Sequence, residues 1–186
     1  MDDEDPGWPL RSVVVMLLPY VGPVLARRTA RGDGLIAMRQ VFIAFLSAIF
    51  MFGVVLSVIW GSEADTEPNV GLAVALLAAG LVVVNLPRFV TRSLDCTSET
   101  TLSASYRTRF FLRIGCSEAP ALLGFVAFFV ANTWWSYPAA AALTLIGFAA
   151  AAPTREHLRR DQEQLHRAGC SCSLVRALRN SPQGRR

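Results

Sequence analysis

The sequence of 186 residues contains no lysine, and only 17% of its residues are charged. Soluble domains carry about 25% charged residues, so this composition argues against an ordinary soluble domain. The sequence also lacks a P-loop, a Gly-x-Ser-x-Gly elbow, a His-Glu-x-x-His zinc motif and a dinucleotide fingerprint. No nucleic-acid-binding module is recognisable either. We therefore expect a non-enzymatic protein without a cofactor and without a nucleic-acid partner.

Long hydrophobic runs dominate what is present. A helix that crosses about 30 Å of hydrocarbon needs roughly 20 apolar residues, and four runs approach that length. The sequence thus predicts an all-α protein, an integral membrane bundle of four transmembrane helices. The expected spans are residues 41–60, 70–86, 110–131 and 134–152. The expected domains are an N-terminal cytoplasmic or interfacial segment (1–38), the transmembrane domain (39–153) and a basic cytoplasmic tail (154–186), helical to about residue 168.

The 18 arginines are distributed unevenly along the chain. Apart from Arg113 within the third span, they precede the first span, lie between the second and third, or follow the fourth. The charged residues of the loop after the first span are all acidic. By the positive-inside rule, both termini are expected in the cytoplasm and the protein in the cell membrane, with the bilayer as its first partner. An outer aromatic belt agrees with this topology: Trp60, Trp134, Trp135 and Tyr137.

The N-terminal stretch Ser12–Ala26 leaves two topologies open. It is apolar but short for a span, and Pro19, Gly22 and Pro23 interrupt it. We favour a segment that lies on the membrane or enters it and returns. A complete crossing is the alternative, and it would place the acidic N-terminus outside.

Cysteines and histidines are few. Cys96, Cys170 and Cys172 fall in segments assigned to the cytoplasm, where thiols stay reduced, so no disulfide framework is expected. His166 with the two tail cysteines has the spacing H-x3-C-x-C, and His157 lies upstream. That spacing matches no common closed tetrahedral zinc site, so no metal site is expected.

Glu118 is the one carboxylate in an apolar run. A charge in hydrocarbon costs roughly 2.5–3.5 kcal/mol on insertion scales, so such a residue is a functional candidate. Asn85 is expected at a similar depth, and Arg88 and Arg113 are expected as the cationic partners of Glu118. Three roles stay open: a buried polar clamp that joins Glu118 to these residues, which we favour, ion or proton handling, and binding of a ligand or partner.

Small residues recur every four positions in two spans. Gly71, Ala75 and Ala79 do so in the second, and Gly147 and Ala151 in the fourth. Small residues at that spacing let helix backbones approach closely. The pattern indicates either packing within the bundle, which we favour, or an interface in an oligomer.

The segment Glu118–Gly124 reads Glu-Ala-Pro-Ala-Leu-Leu-Gly. Locally, the hairpin of spans two and three resembles the proteolipid c-subunit of rotary ATP synthases, which has an essential carboxylate with a glycine six residues later. The longer loop, Pro120 and the position of Glu118 near the loop depart from that family. The resemblance implies only that Glu118 can be protonated.

The whole chain resembles uncharacterised four-span membrane proteins of actinobacteria. The resemblance rests on the arginine-rich entry to the third span, Glu-Ala-Pro-Ala-Leu-Leu-Gly-Phe, the Trp-Trp pair and Ala-Pro-Thr-Arg-Glu-His-Leu. It implies a membrane location and this architecture.

Two functions are expected from these features. The first is an accessory or interaction subunit that contacts its own copies or a larger membrane complex. The alternative is a small homo-oligomer that translocates protons or cations through Glu118. An enzyme acting on lipid ranks last, because no pair of nucleophile and base is evident.

Overall fold

The computed structural model describes residues 34–59, 67–90 and 94–179. These residues form seven α-helices and no β-strand, so the predicted all-α class is confirmed for them. The segment Ser12–Ala26 lies outside the described residues. The helices are α1 (Gly34–Ile59), α2 (Val70–Asn85), α3 (Pro87–Val90), α4 (Glu99–Val130), α5 (Ser136–Ala151), α6 (Arg155–Arg167) and α7 (Leu174–Arg179).

Three helical segments among the described residues are long and apolar enough to cross a membrane: Gly34–Ile59, Val70–Val90 and Glu99–Val130. Helix α5 has 16 residues, or about 24 Å at 1.5 Å per residue, which is shorter than about 30 Å of hydrocarbon. It is long enough to be a candidate span only when the following helix, α6, is counted with it. The described residues thus contain three to four candidate spans.

The surfaces of these helices are apolar. Val58 is 75% exposed, Val82 69% and Ile146 68%. Soluble monomers rarely expose apolar patches of this kind over large areas, whereas a hydrocarbon environment removes their cost. The exposed side chains therefore support the membrane assignment.

The chain divides into two compact units. Among the described residues, the span unit comprises 45–59, 67–90 and 110–151. The tail unit comprises 34–44, 94–109 and 152–179.

In the span unit, α2 packs against α5. Ala73, Ala127 and Ala131 are completely or almost completely buried together. The start of α2 is fixed by Asn69, whose side chain accepts a hydrogen bond from the N–H of Leu72 at 3.0 Å. The N–H of Asn69 donates to the carbonyl of Ala131 at 2.8 Å. Small side chains and this backbone contact hold α2 close to the end of α4.

In the tail unit, α6 is amphipathic, and Leu158 and Leu165 are buried. The tail helix predicted to about residue 168 is thus present. Ion pairs at i,i+4 spacing form on its exposed face, among them Glu156 to Arg160 at 3.1 Å and Glu163 to Arg167 at 3.9 Å. Exposed pairs of this kind contribute about 0.3–0.5 kcal/mol each, so burial of the leucines matters more to the position of α6.

Two buried polar side chains of the tail unit have partners. Arg39 lies within α1 and is 3% exposed. Its Nε donates to the carbonyl of Pro153 at 3.5 Å. The hydroxyl of Tyr106 donates to the buried carboxylate of Asp161 at 3.2 Å. Such partners offset the cost of removing polar groups from water.

Gly124 on α4 provides a test of the contact between α4 and α5. A Cβ at this position would contact the Cβ of Ala140 and would lie 3.0 Å from the carbonyl oxygen of Ser136 and 3.3 Å from the Cα of Tyr137. We expect Gly124→Ala to destabilise the detergent-solubilised protein by about 1–3 kcal/mol, because the two helices must separate. Gly115→Ala on the same helix is the control, since a Cβ there meets nothing within 4 Å. Equal thermal midpoints for the two variants would contradict the packing.

Candidate functional site

A cavity of about 400 Å³ lies in the span unit, between the end of α2 with α3, the middle of α4, and α5. Two arginines, Arg88 and Arg113, line it together with Asn85 and Ser117. The other lining residues are apolar or small: Leu81, Val84, Pro87, Leu143, Ile146, Gly147, Ala150 and Ala151. Among the described residues, the lining contains two cationic side chains and no carboxylate.

Pro87 explains how the first wall is built. It lacks the backbone N–H that would continue α2, so α2 ends at Asn85 and the short helix α3 begins at Pro87. Asn85 stays attached to its own helix because its Nδ2 donates to the carbonyl of Leu81 at 2.8 Å. Arg88 follows on α3, one residue beyond the break.

The other two walls meet at Gly147 on α5. A Cβ there would lie 2.8 Å from Oγ of Ser117 and 2.9 Å from Cγ2 of Val84. A glycine is therefore required where α5 approaches both α2 and α4. Ser117 is 5% exposed, so its hydroxyl belongs to the interior of the unit rather than to its surface.

Pro120 sets the geometry just beyond the cavity. It is fully buried within α4, and a Cβ on Gly80 of α2 would lie 2.9 Å from its Cα. A proline inside a helix removes one hydrogen bond and weakens the ladder around it. Here the next N–H, that of Ala121, donates to Oγ1 of the buried Thr144 on α5 at 2.9 Å. The hydroxyl of Thr144 on α5 thus accepts a backbone hydrogen bond from α4 directly after the proline.

The structure brings three of the four predicted polar residues to one cavity. Asn85, Arg88 and Arg113 line it, whereas Glu118 does not. Helix geometry gives the reason, because the residue that follows Arg113 on the same face is i+4, which is Ser117. Glu118 is half-buried, and among the described residues the structure records no ion pair for it. Its role as clamp or proton site stays a prediction.

Sequence reasoning missed Ser117 as a member of the site. The four-residue spacing from Arg113 was the available signal, since it places both side chains on one face.

The predicted small-residue positions separate into two groups. Gly71, Ala75 and Ala79 are exposed, so they do not provide packing within the bundle. Ala73 and Gly80 are the buried small residues of α2, and they lie on one face because they are seven residues apart. In the fourth span, by contrast, Gly147 makes the predicted close contact and Ala151 lines the cavity. An oligomer interface at Gly71, Ala75 and Ala79 stays a prediction.

The expectation that the cysteines are reduced is wrong for two of them. Cys96 and Cys170 form a disulfide in the tail unit, with Cα atoms 5.8 Å apart. Residues far apart in sequence were brought together by the packing of the tail unit, which the sequence did not reveal. One residue before Cys96, hydrogen bonds from the side chain and backbone of Thr97 lower the pKa of Asp95.

The histidines that accompany the tail cysteines have other partners. Nδ1 of His157 lies 2.7 Å from the carbonyl oxygen of Ala152, and Nε2 of His166 lies 3.0 Å from Nε2 of Gln162. Among the described residues, no three His, Cys, Asp or Glu side chains gather as metal ligands.

Comparison with protein-family models, with curated proteins and with solved structures found no match. The candidate site therefore rests on the geometry of this chain.

Replacement of Thr144 tests the junction at Pro120. We expect Thr144→Val to lower the free energy of unfolding by roughly 1–3 kcal/mol, because the buried N–H of Ala121 would lose its acceptor. Thr144→Ser keeps the hydroxyl and is the matched control. The comparison is made by thermal unfolding in one detergent. If valine and serine behaved alike, the hydrogen bond would have no measurable importance.

Proposed function

We propose that the protein is a non-enzymatic multi-pass protein of the cell membrane that acts as an accessory or interaction subunit by binding an anionic amphiphile in the cavity between Arg88 and Arg113. The proposed topology has four spans, with α5 as the fourth and both termini in the cytoplasm. The arginine distribution supports it. Arg88 and Arg113 then lie near the cytoplasmic end of the spans.

The observation that carries the proposal is the pairing of two guanidinium groups with apolar walls in one cavity. Arginine presents several N–H donors in a planar fork, which suits a phosphate or carboxylate group. The side chains of Leu81, Leu143 and Ile146 provide a surface for the adjoining hydrocarbon. Basic pockets between membrane helices on the cytoplasmic side bind phosphate headgroups in this way.

The size of the cavity restricts how the ligand sits. A volume of about 400 Å³ is at the lower end of ligand-binding pockets. It admits an anionic headgroup with a short part of its chain, and the remaining chain would extend along the lipid-facing helices. A lipid and a free fatty acid share this chemistry, and binding measurements separate them.

Binding is tested with the full chain in mild detergent, by native mass spectrometry with phosphatidylglycerol, a fatty acid or phosphatidylcholine. We expect a preference for the anionic species, and a loss of that preference of about 10-fold or more in Arg88→Gln and Arg113→Gln. A charge-assisted hydrogen bond contributes about 1.5–3 kcal/mol, which is the basis of this magnitude.

The control for the binding test is Arg159→Gln, which removes an arginine whose side chain is 71% exposed on α6. Arg88 is exposed, so its replacement should leave the fold intact. If Arg113→Gln disturbs the fold, the result of Arg88→Gln is therefore the decisive one. Unchanged preference in Arg88→Gln, or an equal loss in Arg159→Gln, would refute the proposed site.

A proton- or cation-translocating homo-oligomer that uses Glu118 is the second candidate. The half-buried position of Glu118, two residues before Pro120 within α4, favours it. The two arginines of the cavity disfavour cation entry at that point, since like charges repel.

Labelling with a hydrophobic carbodiimide tests the second candidate, because this reagent modifies protonated carboxyl groups. If Glu118 carries protons, it should react more strongly at low pH than at high pH, and Glu118→Gln should abolish labelling at this position. Peptide mass mapping locates the modification. Absence of reaction at Glu118 over a wide pH range would exclude translocation through it.

A further inference from the structure

Three of the four cysteines lie in the described part of the tail unit. Cys96 and Cys170 are bonded to each other, while Cys172 carries a free thiol and is half-buried. We call these residues the cysteine cluster. Cys172 follows the bonded Cys170 by only two residues, so the free thiol belongs to the same short loop as the disulfide.

That loop is held in place from both ends. Gly169 has a φ of 83°, which turns the chain out of α6, and the N–H of Cys170 donates to the carbonyl of Leu165 at 3.0 Å. Beyond the disulfide, Gln162 of α6 donates to the carbonyl of Cys172 at 3.1 Å and accepts from the N–H of Leu174 at 2.6 Å. Because α6 fixes both ends, Cys172 stays beside Cys170.

The two cysteines of the disulfide differ in how accessible they are to thiols from solution. Cys170 is 6% exposed, whereas Cys96 is half-buried. A small thiol therefore reaches the Cys170 side of the bond poorly. A thiol two residues away acts within the same molecule, with the high effective concentration of a positioned reactant.

We propose that the cysteine cluster is a thiol–disulfide exchange site in which Cys172 attacks Cys170. The thiolate sulfur of Cys172 forms a bond to Sγ of Cys170, and the bond between Cys170 and Cys96 breaks. Its electron pair goes to Sγ of Cys96, which then takes up a proton. The step changes the pairing without net oxidation. A disulfide spans Cα distances of 4.4–6.8 Å, a range that residues two apart in an extended loop can meet.

The exchange releases one connection within the tail unit. The native bond joins residues 74 positions apart, whereas a bond between Cys170 and Cys172 closes only a short loop. After exchange, Cys96 no longer fastens the segment before α4 to the end of α6, and the hydrogen bond between Tyr106 and Asp161 remains. Two molecules of a small thiol, or one protein dithiol, then reduce the new pair and are themselves oxidised to a disulfide.

An exchangeable disulfide is consistent with the cytoplasmic location proposed above, because disulfides of cytosolic proteins are mostly transient, catalytic or redox-sensing. The exchange itself takes place within the chain and does not depend on the topology or on the ligand cavity. Failure of the thiol experiments would therefore leave the amphiphile proposal standing, and the reverse also holds.

The first experiment counts thiols in the full chain. The protein is purified in mild detergent without reductant, denatured, and labelled with a maleimide polymer that shifts its mobility on a gel. With one disulfide and free Cys116 and Cys172, the native chain should carry two labels, and four after reduction. In Cys96→Ser treated with oxidised glutathione, a bond between Cys170 and Cys172 should leave one label. Three labels would overturn the proposal.

The second experiment keeps the native disulfide intact. The opening of the bond by a small thiol is followed over time in the wild type, in Cys172→Ser and in the control Cys116→Ser. We expect opening to be about 10-fold slower in Cys172→Ser, because the attacking thiol is lost, and unchanged in Cys116→Ser. Equal rates in Cys172→Ser and the wild type would overturn the role of Cys172 even if Cys96→Ser failed to fold.

Discussion

The hydrogen bond from the N–H of Ala121 to the hydroxyl of Thr144 is the contact on which the span unit depends. In a bilayer no water satisfies backbone groups, so every N–H and C=O in the hydrocarbon region needs a partner within the protein. Pro120 removes its own N–H from the ladder of α4 at this point, and the N–H of the next residue donates to a side chain of α5. The same proline contacts Gly80, so α2, α4 and α5 are held together at one level.

This junction also determines where the cavity forms. Close contact at Gly80 and Gly147 brings the three helices together, and Pro87 begins the short helix α3 after the end of α2. The space beyond these contacts is lined by Arg88 and Arg113 together with aliphatic residues. A cavity with both characters suits a molecule with an anionic head and an apolar chain, and this is why binding is the function that we propose.

The tail unit relies on different forces. Its buried leucines on α6 are accompanied by a buried arginine, a hydrogen bond between Tyr106 and Asp161, and the disulfide between Cys96 and Cys170. Polar contacts of this kind suit a unit that faces water, where burial of apolar groups drives folding. A covalent bond that a neighbouring thiol can exchange makes one of these contacts responsive to redox conditions, whereas the packing of the leucines is not.

The sequence alone determined the helices, because runs of apolar residues, Pro87, Pro153 and the i,i+4 ion pairs of α6 act over a few residues. It also identified Asn85, Arg88 and Arg113, since polar side chains in or next to an apolar run are conspicuous. Only the tertiary structure decided that Ser117 rather than Glu118 lines the cavity, that Gly80 rather than Gly71 packs inward, and that Cys96 pairs with Cys170. These outcomes depend on how each helix is rotated and on which distant segments meet, and the contacts that fix both lie far apart in the chain.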